Sequence, residues 1–192
     1  MKLLHLDSSI QGNASASRAV SASVVKTLRA QQPNLEIVYR DVAAGPLAHL
    51  TLDAFGSAQA QEIMDEFLAA DIVVIGAAMY NFTIPSQLKA WIDRILIAGR
   101  TFRYGENGPE GLAGGKRVIV ALARGGLYGP GSPAAALEHA ETYLRGVLAF
   151  IGIRDPEFII AEGLALGDEA RKSAVASALD RATQVAAARF AA

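Results

Sequence analysis

The run Ile72-Val73-Val74-Ile75-Gly76, prolonged by Ala77-Ala78-Met79-Tyr80-Asn81-Phe82, decides the architecture. Four consecutive β-branched residues without polar alternation describe a strand buried on both faces, as in the centre of a parallel sheet covered by helices. The flanking segments keep the same rhythm. Upstream, Ser57 to Ala70 carries Ile63 and Phe67 at helical spacing, and Leu35 to Tyr39 reads as an earlier strand, set off from that helix by the Gly45-Pro46 break. Val20, Val24 and Leu28, with Val25 widening the stripe, mark a helix that opens near Ser15 or Ser17 and stops at Pro33-Asn34, and Lys2 to Asp7 is the first strand. Downstream, Pro85 stands near the first turn of a helix reaching Ile97, in which Leu88, Trp91, Ile92 and Ile95 keep helical spacing. A glycine-rich excursion from Thr101 to Gly115 leads to a strand at Lys116 to Ala123, a helix at Ala134 to Phe150, a strand at Glu157 to Ala161 and a closing helix at Asp168 to Phe190. Five short strands alternating with five helices predict a doubly wound α/β fold: one domain over residues 1–192, a five-stranded parallel sheet with helices on both faces, and right-handed crossovers.

Composition narrows the function. Eighteen basic and 19 acidic side chains give a formal charge of -1, which argues against a nucleic-acid footprint or a polybasic membrane patch. With 52% hydrophobic residues the chain has ample material for a core. The absence of cysteine removes disulfides, thiolate catalysis and cysteine-built metal sites, and suits a reducing cytoplasm, the expected location. Met1 to Asp7 holds too short an apolar run for a signal peptide, and the longest apolar stretch, Ile72 to Tyr80, falls well short of the roughly 20 residues that span a bilayer. His5, His49 and His139 show no metal spacing, and neither a G-x-S-x-G elbow, a G-x-G-x-x-G fingerprint nor a Walker loop occurs. With no nucleophile, metal or acid–base pair in view, an enzyme of this sequence needs a cofactor to carry its chemistry.

Open α/β sheets bind ligands beyond the carboxyl ends of their strands, at the point where strand order reverses. Three loops qualify. Ser9, Ser15, Ala16 and Ser17 set hydroxyls and free N–H groups at a helix N-terminus, which suits a phosphate, although such serines also serve as plain helix caps. Met79, Tyr80, Asn81 and Phe82 follow the central strand, where a flat heteroaromatic ring would stack unless Met79 and Phe82 simply close the core. After Ala123 and Arg124, Gly125 and Gly126 either make a bare turn or let backbone N–H groups approach a ring edge closely.

Together these segments resemble the FMN-dependent azoreductases, an NADH:quinone oxidoreductase family of flavodoxin-like fold. The resemblance runs through Ser8-Ser9-Ile10 with Ser15 and Ser17, Met79-Tyr80-Asn81-Phe82 with Gln87-Leu88-Lys89, Thr101-Phe102-Arg103-Tyr104 with Glu106-Asn107-Gly108-Pro109-Glu110-Gly111, Arg124-Gly125-Gly126, Phe150-Ile151-Gly152-Ile153 and Ala161-Glu162-Gly163. It implies that the serine loop holds the FMN phosphate, that the Met79–Phe82 loop lies along the ribityl chain and isoalloxazine, and that Gly125 and Gly126 meet the ring near N1 and O2. It further implies a homodimer with one FMN per subunit, each site finished by the partner, with Phe102, Tyr104 and Phe150 at the flavin face and substrate pocket; Tyr128, outside the matching segments, is a further candidate for shaping that pocket. On this reading two electrons pass from NADH or NADPH to a quinone or azo compound by a ping-pong scheme in which no side chain acts as nucleophile. Two departures stand out: Ala123 replaces the family's usual serine, and the stretch from Leu50 to Gln61 is shorter than in some relatives. The resemblance also places the Pro85–Ile97 helix and Trp91 at the dimer interface, whereas an indole at that spacing serves equally in the core. Rival readings are a flavodoxin-like one-electron carrier, which the balanced charge disfavours, and an acyl-carrier-protein phosphodiesterase, for which no metal ligands or nucleophile are seen.

Overall fold

A computed structural model describes residues 1–188. In chain order it comprises β1 (Lys2–Asp7), α1 (Ala16–Gln31), β2 (Glu36–Asp41), α2 (Ala58–Ala69), β3 (Ile72–Ala78), α3 (Ser86–Ile95), β4 (Phe102–Gly105), β5 (Gly108–Gly111), β6 (Arg117–Ala123), α4 (Ala140–Phe150), β7 (Glu157–Ala161) and α5 (Asp168–Ala187). The five parallel strands lie in the order β2-β1-β3-β6-β7, a flavodoxin-like sheet whose order reverses between β1 and β3. All seven residues of β3 and of β6 are buried, as expected for strands covered on both faces.

Side-chain alternation divides the interior in two. Leu4, Leu6, Val73, Ile75, Val118, Val120 and Leu122 point toward α2, α3 and α4, where Phe67, Trp91 and Leu144 meet them. Leu3, Ile72, Val74, Ile119 and Ile159 point toward α1 and α5, meeting Val20, Val24, Leu28 and Ala182. Trp91 is 1% exposed and packs edge-on against Phe67, so the indole serves the core and presents no surface to a second chain.

Several elements differ from the sequence reading, and β2, expected over Leu35 to Tyr39, runs from Glu36 to Asp41. The Thr101–Gly115 excursion contains the antiparallel hairpin β4–β5, paired from Phe102↔Gly111 to Gly105↔Gly108. Its base is seated by glycines: a Cβ on Gly111 would lie 2.1 Å from the Gly152 nitrogen, and Gly152 itself has φ +97°. The helix expected from Ala134 starts only at Ala140, because the Glu138 carboxylate accepts the N–H groups of Ala140, Glu141 and Thr142 and so caps the helix there. The helix expected to reach Ile97 ends at Ile95, where the Thr101 hydroxyl accepts the Ile97 N–H and donates to the Ile95 carbonyl. Of the closing helix, Asp168–Ala187 is helical, while Arg189 and Phe190 lie outside the described residues.

Gly76 in β3 is a packing requirement. A Cβ there would fall 2.1 Å from Asp7 Oδ1 and 3.1 Å from Ser21 Oγ, both on buried side chains. Gly76→Ala is expected to lower stability by about 1–3 kcal/mol, the usual cost of overpacking. A denaturant midpoint unchanged from that of the unaltered protein would show that Asp7 can move aside.

Candidate functional site

The first loop at the switch point is built on the end of β1. Ser8 donates both its N–H and its hydroxyl to the Gly76 carbonyl, which locks the loop onto β3. Ser15 is the N-cap of α1: its hydroxyl accepts the Arg18 N–H at 3.3 Å and lies 3.1 Å from the Ser17 hydroxyl. Ser9, Ser15, Ala16 and Ser17 are all buried within the chain. Ala16 and Ser17 open the helix, so their N–H groups have no intrahelical acceptor and carry the positive end of its dipole.

Arg18 shapes this loop, and nothing in the sequence singled it out. Its Nε and Nη2 both donate to the Ser9 carbonyl, at 3.2 and 2.8 Å, while Nη1 and Nη2 grip the two oxygens of Asp41 at 2.6 and 2.8 Å. The Ser9 carbonyl is thereby turned into the protein and away from any anion at the α1 N-terminus. The Arg18 hydrogen bond pulls the Asp41 carboxyl below its ordinary range, outweighing burial, and the Ala44 and Ala43 N–H groups assist. Asp41 closes β2, twenty-three residues away, a pairing with no local signature.

The second loop is a tight turn. Tyr80 N–H donates to the Thr83 carbonyl and Thr83 N–H returns to Tyr80, with Asn81 at φ +48° and Phe82 at φ +72° between them. Left-handed backbone suits asparagine but costs a phenylalanine on the order of 1–3 kcal/mol, and such strain persists only where neighbours enforce it. The enforcement comes from Met79 N–H bound to the Ala123 carbonyl and His139 N–H bound to the Phe82 carbonyl. Asn81 and Phe82 consequently stand exposed, while Met79 and Tyr80 are half-buried. The Tyr80 hydroxyl reaches back 3.0 Å to Ser9 Oγ and accepts the Ile10 N–H, tying the second loop to the first.

In the third loop the carbonyls of Arg124, Gly125 and Gly126 accept the N–H groups of Leu164, Ala165 and Gly163. All three are turned toward the segment after β7, and the Gly125 and Gly126 N–H groups find no acceptor among the described residues. The buried Ala123 has no hydroxyl to offer. The Arg124 side chain is 2% exposed and is held by Glu141 at 2.7 Å, Glu138 at 3.3 Å and Glu162 at 3.5 Å, so this loop offers a ligand its backbone and not its guanidinium. Glu162 in turn accepts the Tyr128 N–H, fixing the half-buried Tyr128 ring 6.3 Å from Phe82.

The remaining aromatic residues are elsewhere. Phe102 packs 4.7 Å from Phe150 and edge-on to Tyr104, which is 75% exposed. Phe150 ends α4 and the hairpin precedes β6, so this trio sits toward the amino ends of the strands. The serine loop, the Tyr80–Thr83 turn and Gly125-Gly126 follow the carboxyl ends. One chain therefore brings Phe82 and Tyr128 together but keeps Phe102, Tyr104 and Phe150 apart from them.

A family described by its flavodoxin-like fold matches residues 1–186. The chain belongs to that family. Among its relatives, the FMN-dependent NADH:quinone oxidoreductase of Methylorubrum extorquens is 62% identical, covering 98% of this chain and all of the relative. The protein of the same description from Xanthomonas campestris is 56% identical over 93% of this chain and 96% of its own. Among solved structures, an FMN-dependent NADH-azoreductase from Bacillus anthracis in complex with FMN superposes with a TM-score of 0.88 at 25% identity, over all of this chain and 99% of that one.

Because the folded Asp41 carboxyl is more acidic than an ordinary aspartate, its contribution to stability is complete above about pH 5 and is lost as pH falls below about 4 and through the folded value. Urea midpoints of the protein and of Asp41→Asn are expected to differ by a constant amount from pH 7 to 5 and to converge on further acidification. A gap that widens toward low pH would contradict the assigned direction.

Proposed function

We propose that this protein is an FMN-dependent oxidoreductase that carries two electrons from NADH or NADPH to quinones, and to azo compounds with reductive cleavage, as a homodimer with ping-pong kinetics. The observation that carries the reading is the bridge from the Tyr80 hydroxyl to Ser9, which gathers the serine-rich N-terminus of α1 and the strained turn after β3 at the point where strand order reverses. The names of relatives more than 50% identical over almost the whole chain point the same way.

The residues fit the cofactor's chemistry. Ser15 and Ser17 hydroxyls and the unpaired N–H groups of Ala16 and Ser17 suit a phosphate without any cationic side chain, and Arg18 keeps the Ser9 carbonyl from facing it. Asn81 and Phe82 stand out beside the place a ring would occupy, with Met79 and Tyr80 beneath them. The Gly125 and Gly126 N–H groups suit the polar edge of a flavin, where negative charge gathers on reduction. When bound, FMN supplies the two-electron exchange at its N5 position. The chain's own residues hold and orient it, stack against its face, and close the substrate slot at Tyr128. The Phe102, Tyr104 and Phe150 trio reaches a site only when a second subunit presents it, which is the reason for proposing the dimer.

Replacing Ser15 and Ser17 together by alanine removes two hydroxyl donors to a charged group, each worth about 1.5–3 kcal/mol, so the FMN dissociation constant is expected to rise at least tenfold. An unchanged constant would refute the phosphate assignment. Tyr104→Ala, altering an exposed ring, is expected to leave the melting temperature unchanged while lowering kcat/KM for a benzoquinone several-fold, commensurate with an aromatic contact of about 0.5–1.5 kcal/mol. Initial-rate lines for NADH at several quinone concentrations should run parallel; intersecting lines would exclude the alternating scheme.

A further inference from the structure

The chain beyond Gly126 leaves the third loop with little to hold it. Main-chain hydrogen bonds lay Arg124, Gly125 and Gly126 against the segment after β7, and they stop at Gly126. Leu127 is exposed. Among the described residues a single hydrogen bond ties residues 127–131 to another part of the molecule: the Tyr128 N–H donates to Glu162 Oε2 at 3.0 Å. A Cβ on Gly129 would lie 3.2 Å from Glu162 Oε1, so the glycine leaves the carboxylate its room.

Glu162 also stands beside Arg124, but the guanidinium does not depend on it. Arg124 Nη2 donates to Glu141 at 2.7 Å and lies 3.3 Å from Glu138, whereas Glu162 is 3.5 Å from Nη1, the longest of the three separations. Two carboxylates already compensate the buried cation. The better geometry at Glu162 is the main-chain amide, a charge-assisted hydrogen bond. What that bond places is the Tyr128 ring, which rests on Gly126, 3.2 Å from where a Cβ would be, and stands edge-on to Phe82 at 6.3 Å. Phe82 is itself fixed through its carbonyl by the His139 N–H. One half of this aromatic pair is therefore held by its own turn, and the other hangs on Glu162.

We propose that Glu162 is a positioning residue for the electron acceptor: through the Tyr128 N–H it holds the Tyr128 ring against Phe82 and so sets the width of the slot that a flat quinone enters. The proposal rests on the flavin reading and adds to it the residue that determines acceptor fit. Glu162 acts through Tyr128 and not through its charge, so a neutral oxygen acceptor of the same shape serves in its place.

The test is made on FMN-saturated protein. Exchange of the Tyr128 amide hydrogen, followed by NMR, is expected to be protected in the unaltered chain and about tenfold or more faster in Glu162→Ala, the range of a lost hydrogen bond to a charged group. Glu162→Gln, whose side-chain oxygen accepts the same N–H, is expected to retain most of the protection. At saturating NADH, KM for a benzoquinone should rise several-fold in Glu162→Ala with a smaller change in kcat, and stay near the unaltered value in Glu162→Gln. In a Tyr128→Ala background the Glu162→Ala change should add little to KM, since both act on one ring. An unprotected Tyr128 amide in the unaltered protein would overturn the proposal without any variant. So would equal impairment of the alanine and glutamine variants, which would assign Glu162 to Arg124, or an effect that persists in full once the Tyr128 ring is gone. Absence of turnover by the unaltered protein is a different failure, that of the flavin reading, and takes this proposal with it.

Discussion

The Asp7 carboxylate lies against Gly76 more closely than any side chain on residue 76 would permit, and the carboxyl edge of the sheet is organised around that contact. Asp7 accepts the Ser21 hydroxyl at 2.8 Å and the Tyr39 hydroxyl at 3.2 Å, with His5 3.5 Å and Arg18 3.8 Å away. Arg18, so placed, reaches the Ser9 carbonyl on one side and Asp41 on the other. A buried charge is tolerated when its partners are good, and removal of one partner leaves the rest uncompensated. The geometry of the serine loop therefore depends on a glycine one strand away.

The fold was legible because burial on both faces writes itself into composition: Ile72 to Ile75 and Val118 to Leu122 have no polar alternation, and helices of regular apolar spacing separate them. What the sequence hid has a common cause. The start of α4 depends on Glu138 folding back over three amides, and the β4–β5 hairpin depends on Gly111 lying against Gly152, forty-one residues later. Periodicity reports neither.

The site divides along the same line. Loops rich in serine, glycine and aromatic residues at the switch point could be read directly, since strand ends and residue types are local properties. The role of Arg18 could not, because its meaning lies in Asp41 and Ser9. Arg124 stands beside two glycines where a ligand contact is natural, yet three glutamates draw it inward, and only its position in three dimensions reveals that it braces the loop. Ala123 reinforces the consequence: this loop presents main-chain N–H groups and no side-chain donor. Phe102, Tyr104 and Phe150 pack together toward the opposite end of the strands, and only the family resemblance, not any local pattern, connected them with the site.

On the function proposed above, these loops hold a flavin that passes electron pairs between two small substrates in turn. The most direct measurement is the anaerobic absorption spectrum of protein reconstituted with FMN and desalted, recorded before and after addition of NADH, then NADPH, then a benzoquinone. A retained flavin band that bleaches with the nucleotide and returns with the quinone is the predicted result. Loss of the flavin on desalting would contradict the reading of the three loops, and a retained band indifferent to both nucleotides would contradict the proposed activity.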